Sequence, residues 1–198
     1  MGNWYTNVTL KNVDSLEVVK VLRALGRKSI VTPAQNGWVT VYDEECENSD
    51  LDILESLALT LTTELHCVAV PCFNADDDVL WLAVYDRGRM TSRYASAAQM
   101  FEDAADFPTA KDFTREACQV FNHPERTLEV ERILRRGHGI LGMLRILKLP
   151  VPYLVEIERH LDLQVALELP PASAGLGYKY VSRGELAAGM DASQLLRT

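Results

Sequence analysis

The chain has 198 residues, 47% of them hydrophobic and 24% charged, and carries a formal net charge of −8. That length suits one large domain, or one domain with a substantial extension, burying roughly 70% of its unfolded surface without disulfide or metal staples. The composition excludes disorder, no apolar run approaches the ~18–20 residues of a membrane span, and the acidic balance argues against non-specific contact with nucleic acid or an anionic membrane.

The opening MGNWYTNVTL has no basic segment ahead of an apolar core, so no signal peptide is expected and the reading is cytoplasmic. Trp4–Leu10 alternates as a half-buried strand. Asp14 and Glu17 resemble a capping box opening a helix to Leu25, with Leu16, Val18, Val19, Leu22 and Leu25 as its apolar stripe and Gly26 as its stop. Ser29–Thr32 and Trp38–Asp43 form a hairpin around Asn36-Gly37. Ser49 and Asp50 cap a second helix with Leu54, Leu57, Leu61 and Leu65 on one face.

His66–Phe73 is the next strand, which completes a βαββαβ order. The expected fold class is therefore α+β: a ferredoxin-like βαββαβ core extended by an antiparallel β-hairpin, with C-terminal helices covering the sheet. Val79–Asp86 and Met90–Ala95, joined at Arg87-Gly88, supply that hairpin and bring the sheet to five or six strands. Its first strands are apolar on both sides. Leu80, Leu82 and Val84 oppose Val79, Trp81, Ala83 and Tyr85, whereas a sheet with one wet face would alternate apolar with polar. Exposing either side forfeits several kcal/mol at ~25 cal/mol per Å², so later segments must cover the second face.

Short helical turns are expected near Met100–Asp103 and Phe113–Phe121. A helix capped by Thr127 follows, with Leu128, Ile133 and Leu134 apolar. Next come an apolar helix over Ile140–Leu149 and another over Tyr153–Leu161. Residues 162–169 alternate as a strand, Gly177–Ser182 reads as strand-like, and Asp191 onward reads as a short helix or tail. The division expected is 1–96 for the core and added strands, 97–169 for a mostly helical extension, and 170–198 for a connector, short strand and tail.

At NWYTNVTL, ADDDVLWLAVYDRG and GYKYVSRGE the chain resembles a group of uncharacterised bacterial proteins. They share an NWYTN-like strand, an aspartate-rich turn before an aromatic strand, and a late GY-aromatic-RGE segment. The resemblance implies a bacterial source and no activity.

No sharp chemical motif stands out. Cys46, Cys67, Cys72 and Cys118 form no CxxC pair and read as free buried thiols in a reducing compartment. No two histidines have metal-ligand spacing, and His160 is expected near a helix end that favours a cation. No phosphate loop, dinucleotide fingerprint or nucleophile elbow occurs, so no cofactor, metal or catalytic residue is assigned. RNA-type stacking positions would fall on Thr9 and Thr40 with only Trp38 aromatic, so no nucleic-acid partner is expected.

The acidic run Asp43, Glu44, Glu45, Glu47, Asp50 and Asp52, with Asp76, Asp77 and Asp78, is the candidate surface for a basic protein, each otherwise a solvated loop or helix start. His138, between two glycines, is the candidate for a ligand cleft. The leading expectation is a non-catalytic, acidic interaction protein, such as an inhibitor or immunity-type antitoxin. A small-molecule sensor is the alternative, then an enzyme using His138 with Cys118 or a carboxylate; a homodimer is left open.

Overall fold

The computed structural model describes residues 2–48, 50–137 and 153–198. Strands β1 (Tyr5–Lys11), β2 (Ser29–Val31), β3 (Trp38–Asp43), β4 (Val68–Ala75), β5 (Val79–Asp86), β6 (Arg89–Ala95) and β7 (Leu196–Arg197) form one sheet in the order β6-β5-β4-β1-β3-β2-β7. Every pairing is antiparallel. The result is a mixed α+β protein whose sheet is larger than the five or six strands expected.

Helices α1 (Ser15–Ala24) and α2 (Leu51–Leu65) lie on one face. Asp14 starts α1 by accepting from the amides of Leu16 (2.9 Å) and Glu17 (3.2 Å), which satisfies two of the free N–H groups of the first turn. Asp50 accepts from the Asp52 amide at 3.0 Å at the head of α2; Ser49, the other expected cap, lies outside the described residues. Val18, Val19 and Leu22 from α1 meet Leu54, Leu57 and Leu61 from α2 over Val8, Leu10 and Trp81. Leu16 and Leu25, expected in the α1 stripe, are exposed instead, because only the Val18/Val19/Leu22 side of this short helix faces the sheet.

The opposite face is covered by α3 (Ala110–Val120), α4 (Thr127–Arg135), α5 (Glu156–Ala166) and α6 (Tyr178–Ser182). Leu80, Leu82 and Val84 point into this layer, and Trp81, Ala83 and Tyr85 point to the α1–α2 side. Trp81 keeps 1% of its surface, so neither side of β5 meets water.

The turn between β5 and β6 sets this geometry. Arg87 and Gly88 both take positive φ (46° and 79°), as a tight hairpin requires, and a Cβ on Gly88 would lie 2.4 Å from Thr63 Oγ1 on α2. Asn36 and Gly37 repeat the positive-φ pair between β2 and β3.

Several C-terminal expectations are corrected. Residues 162–166 continue α5 rather than forming a strand. Its inner face is Glu156, Arg159, His160, Leu163 and Gln164, a helical period written mostly in polar letters, while Val165 is 72% exposed. GYKYVS folds as α6 and not as a strand. Thr127 opens α4 without capping it, its hydroxyl donating back to the Pro124 carbonyl at 2.7 Å, and Leu128 is 68% exposed. The tail ends in β7, paired with β2. The expected helix over Ile140–Leu149 lies outside the described residues.

Candidate functional site

The acidic residues singled out in sequence divide by environment. Asp43 is 2% exposed and ion-paired with Arg27, whose Nε also donates to Oδ2 at 3.1 Å; Ser29 Oγ donates to the same oxygen at 2.6 Å. Glu45 meets Arg27 at 2.6 Å and Glu44 meets Lys28 at 2.7 Å. Glu47 reaches the first turn of α6, where a Cβ on Gly177 would come within 2.2 Å of its Oε1. Burial pushes its carboxyl up, against the pull of the Tyr178 and Lys179 amides.

Asp77 is buried at the β4–β5 turn, accepting from the Asn3 amide (2.7 Å) and from Asn74 Nδ2 (3.0 Å). Asp76 accepts from the Gly2 amide at 2.8 Å, and Asp78 is exposed. Asp43 and Asp77 thus face inward and hold the fold. His138 lies outside the described residues.

Another grouping of acids, sharing Asp52 with the acidic run, lines one cleft. Beside the sheet's β6 edge, Asp52 and Glu55 from the first turns of α2 face Glu102 and Asp103 from the segment after β6. Between them is a cleft of about 410 Å³ with Trp81, Phe101 and Phe107 in its lining. Phe101 and Phe107 pack 5.3 Å apart, centroid to centroid.

Arg93, from β6, is the cleft's cation. Its guanidinium is 2.6 Å from Asp103 and 4.4 Å from the centre of the Phe107 ring, a charge-assisted pair backed by a cation–π contact. Four acidic residues therefore line a cleft that also holds one guanidinium. Burial raises the Glu55 carboxyl; Tyr85 and Arg93 pull it down, while Asp52 and Asp103 push it up. Sequence reading missed this grouping because it joins residues 51–55, 81, 93 and 101–107. The available signal was the FEDAADF stretch, where two aromatics bracket three acids.

A second cleft, about 220 Å³, lies where β1 and β5 end and β4 begins. Lys11, Asn12, His66, Cys67, Asp86 and Arg87 line it. Lys11 Nζ donates to the Phe121 carbonyl at 3.0 Å, over the Trp38 and Phe121 rings, and burial lowers its pKa. Burial pushes the Cys67 thiol up to about 11, so it is not a ready nucleophile.

The third polar cluster is sealed. Tyr5 Oη lies 2.7 Å and Cys72 Sγ 3.4 Å from His160 Nδ1, and the Tyr5 and His160 rings stack. Burial drives His160 down to about 3 and raises Tyr5 and Cys72, so all three stay neutral. His160 is therefore an uncharged hydrogen-bonding group in mid-helix, not the helix-end cation expected. Thr9, Thr40 and Trp38 are buried beneath the same layer.

Among the described residues, no group of three or more His, Cys, Asp or Glu side chains converges as a metal site, and no helix is long and apolar enough to cross a membrane. Compared with known proteins, the chain matches no family model, no curated protein and no solved structure. What stands is a class: an antiparallel-sheet α+β protein covered on both faces, with an acidic, aromatic-lined cleft beside one edge of its sheet.

Proposed function

We propose that this is a non-catalytic cytoplasmic interaction protein that binds a basic segment of another protein, as an inhibitor or immunity-type antitoxin does. The observation that carries the reading is Arg93. The chain seats one of its own guanidinium groups on Phe107 against Asp103 and leaves Asp52, Glu55 and Glu102 around it. A cleft that holds one such cation with carboxylates to spare suits an arginine or lysine side chain from outside. Four buried free thiols fit a reducing compartment.

The strand order β4-β1-β3-β2, with α1 and α2 on one face, supports reading the core as a ferredoxin-like βαββαβ unit extended by β5, β6 and β7. Fold of this kind does not choose a function; the cleft does.

Titration of an arginine-rich peptide, followed by calorimetry at low and high salt, tests the reading. Binding should weaken with salt and fall in Glu55→Gln/Asp103→Asn. A cation brought beside Glu55 favours its charged form, so binding should release protons and tighten as pH rises through the raised Glu55 pKa. No binding, or binding indifferent to the double substitution, sinks it.

A second reading is a small-molecule sensor, favoured by the polar cleft that Lys11 and Asn12 share with Arg87. A metabolite thermal-shift screen with no shift at saturating ligand leaves that reading without support.

A further inference from the structure

The outer edge of β2 has an occupant whose contacts read like those of a bound peptide. Val31 pairs with Leu196 and Ile30 with Arg197, so the last residues form the seventh strand. Beyond the ladder, Thr198 N donates to the Ser29 carbonyl at 3.2 Å. Its hydroxyl accepts from the Ser29 amide at 2.8 Å and donates to the Arg27 carbonyl at 2.5 Å. Arg23 from α1 donates to the Arg197 carbonyl at 3.0 Å.

Two side chains carry the selectivity. Leu196 packs against the α1–α2 cluster, and the Thr198 hydroxyl satisfies two backbone groups of the β2 edge at once. Arg197 points to solvent and any residue serves there. The tail reaches this edge through exposed Asp191–Gln194, and Gly189 before it has open space where a Cβ would stand.

We infer that the β2 edge is a strand-accepting site for an extended segment of a partner protein with the pattern apolar–any–Thr, which residues 196–198 hold closed in cis. Main-chain bonds supply the affinity and alternate side chains the selectivity, as in strand addition to a sheet edge. A tethered tail competes at an effective concentration of about millimolar, so a free segment of equal length enters only once the tail is detached or weakened. Left empty, the edge would present the Ser29 amide and the Arg27 and Ser29 carbonyls without partners. The inference is independent of the acidic cleft, which lies at the opposite edge of the sheet.

The test inserts a protease site at Gly189 in the full chain and cuts after folding, with circular dichroism confirming retained structure. The probe is a fluorescein-labelled peptide, MDASQLLRT, followed by anisotropy. Cut protein should exchange its tail for the probe saturably, uncut protein should not, and peptides carrying Leu196→Asp or Thr198→Val should bind about tenfold more weakly or worse, about 1.4 kcal/mol. Cut, folded protein that takes up no probe, or takes up all three peptides equally, overturns the inference. Should cutting unfold the protein, uncut Thr198→Val replaces it. Its weakened tail must admit the wild-type probe more readily than the parent does, and equal uptake overturns the inference. A dimer of intact chains that Thr198→Val abolishes would overturn the assignment to a partner protein, making a second copy the occupant.

Discussion

The two faces of the sheet are held by different chemistry. Under α1 and α2 the contacts are between aliphatic and aromatic side chains such as Val19, Leu57, Leu61 and Trp81. Under the C-terminal layer, apolar contacts are threaded with buried hydrogen bonds. Tyr42 donates to the Ala172 carbonyl (2.7 Å), Tyr94 to that of Leu134 (3.0 Å), and Asn7 Nδ2 to those of Ser173 and Leu176 (both 3.0 Å). The most demanding is Arg159, which pairs with Glu156 at 2.7 Å and donates to the last carbonyls of α4 at Ile133 (2.8 Å) and Leu134 (2.9 Å). Hydrophobic burial accepts many shapes, whereas a buried polar group accepts few partners. One face therefore supplies bulk cohesion and the other specifies how the C-terminal layer docks.

That contrast can be broken by measurement. The largest effect should come from Arg159→Met, which removes the buried guanidinium paired with Glu156 and unbinds the end of α4. Urea unfolding should show a loss of about 3–5 kcal/mol, and a loss below about 1 kcal/mol would erase the distinction between the faces. Acid should act on the same layer. His160 has a folded pKa of about 3 against an ordinary 6.5, so the unfolded chain binds the extra proton between those values. Its contribution to stability is complete above pH 6.5 and is lost as pH falls, by about 1.4 kcal/mol per pH unit until its folded pKa is reached. His160→Phe should flatten that part of the stability–pH curve whatever it does at neutral pH; an unchanged slope refutes the assignment.

On the other face, Leu61→Met should cost under about 1.5 kcal/mol in the same unfolding assay, because volume is conserved and no polar group loses a partner. Smallest of all, Leu16→Gln should change stability by no more than about 0.5 kcal/mol, since that leucine is exposed. A loss comparable with a core substitution there would mean α1 buries a second side.

The same contrast explains what could be read in the chain. The α1–α2 face was legible because its period is written in Val, Leu and Trp, and the two-sided greasiness of β5 required a second layer. Within that layer, the inward side of α5 is Glu156, Arg159, His160 and Gln164, which a hydrophobic period cannot detect. The alternation Leu163, Val165, Leu167 and Leu169 pointed to a strand instead. For α6, Tyr178–Ser182 has strand-like residues, but Gly177 and the Glu47 carboxylate place it as a helical turn. The acidic cleft was illegible for another reason: its walls come from α2, β5, β6 and the following segment, which adjoin only after the sheet has formed.

The aspartate-rich hairpin between β4 and β5 has the look of a loop where a tag or a foreign domain could be spliced without harm. Asp77 makes it the opposite. Its carboxylate holds Asn3 and Asn74, and its carbonyl receives the Glu156 amide at 2.9 Å, so two distant stretches are knotted to the hairpin at one residue. Engineers wanting a permissive graft point should leave that corner alone and use the Arg183–Glu185 bend, whose residues stand in solvent.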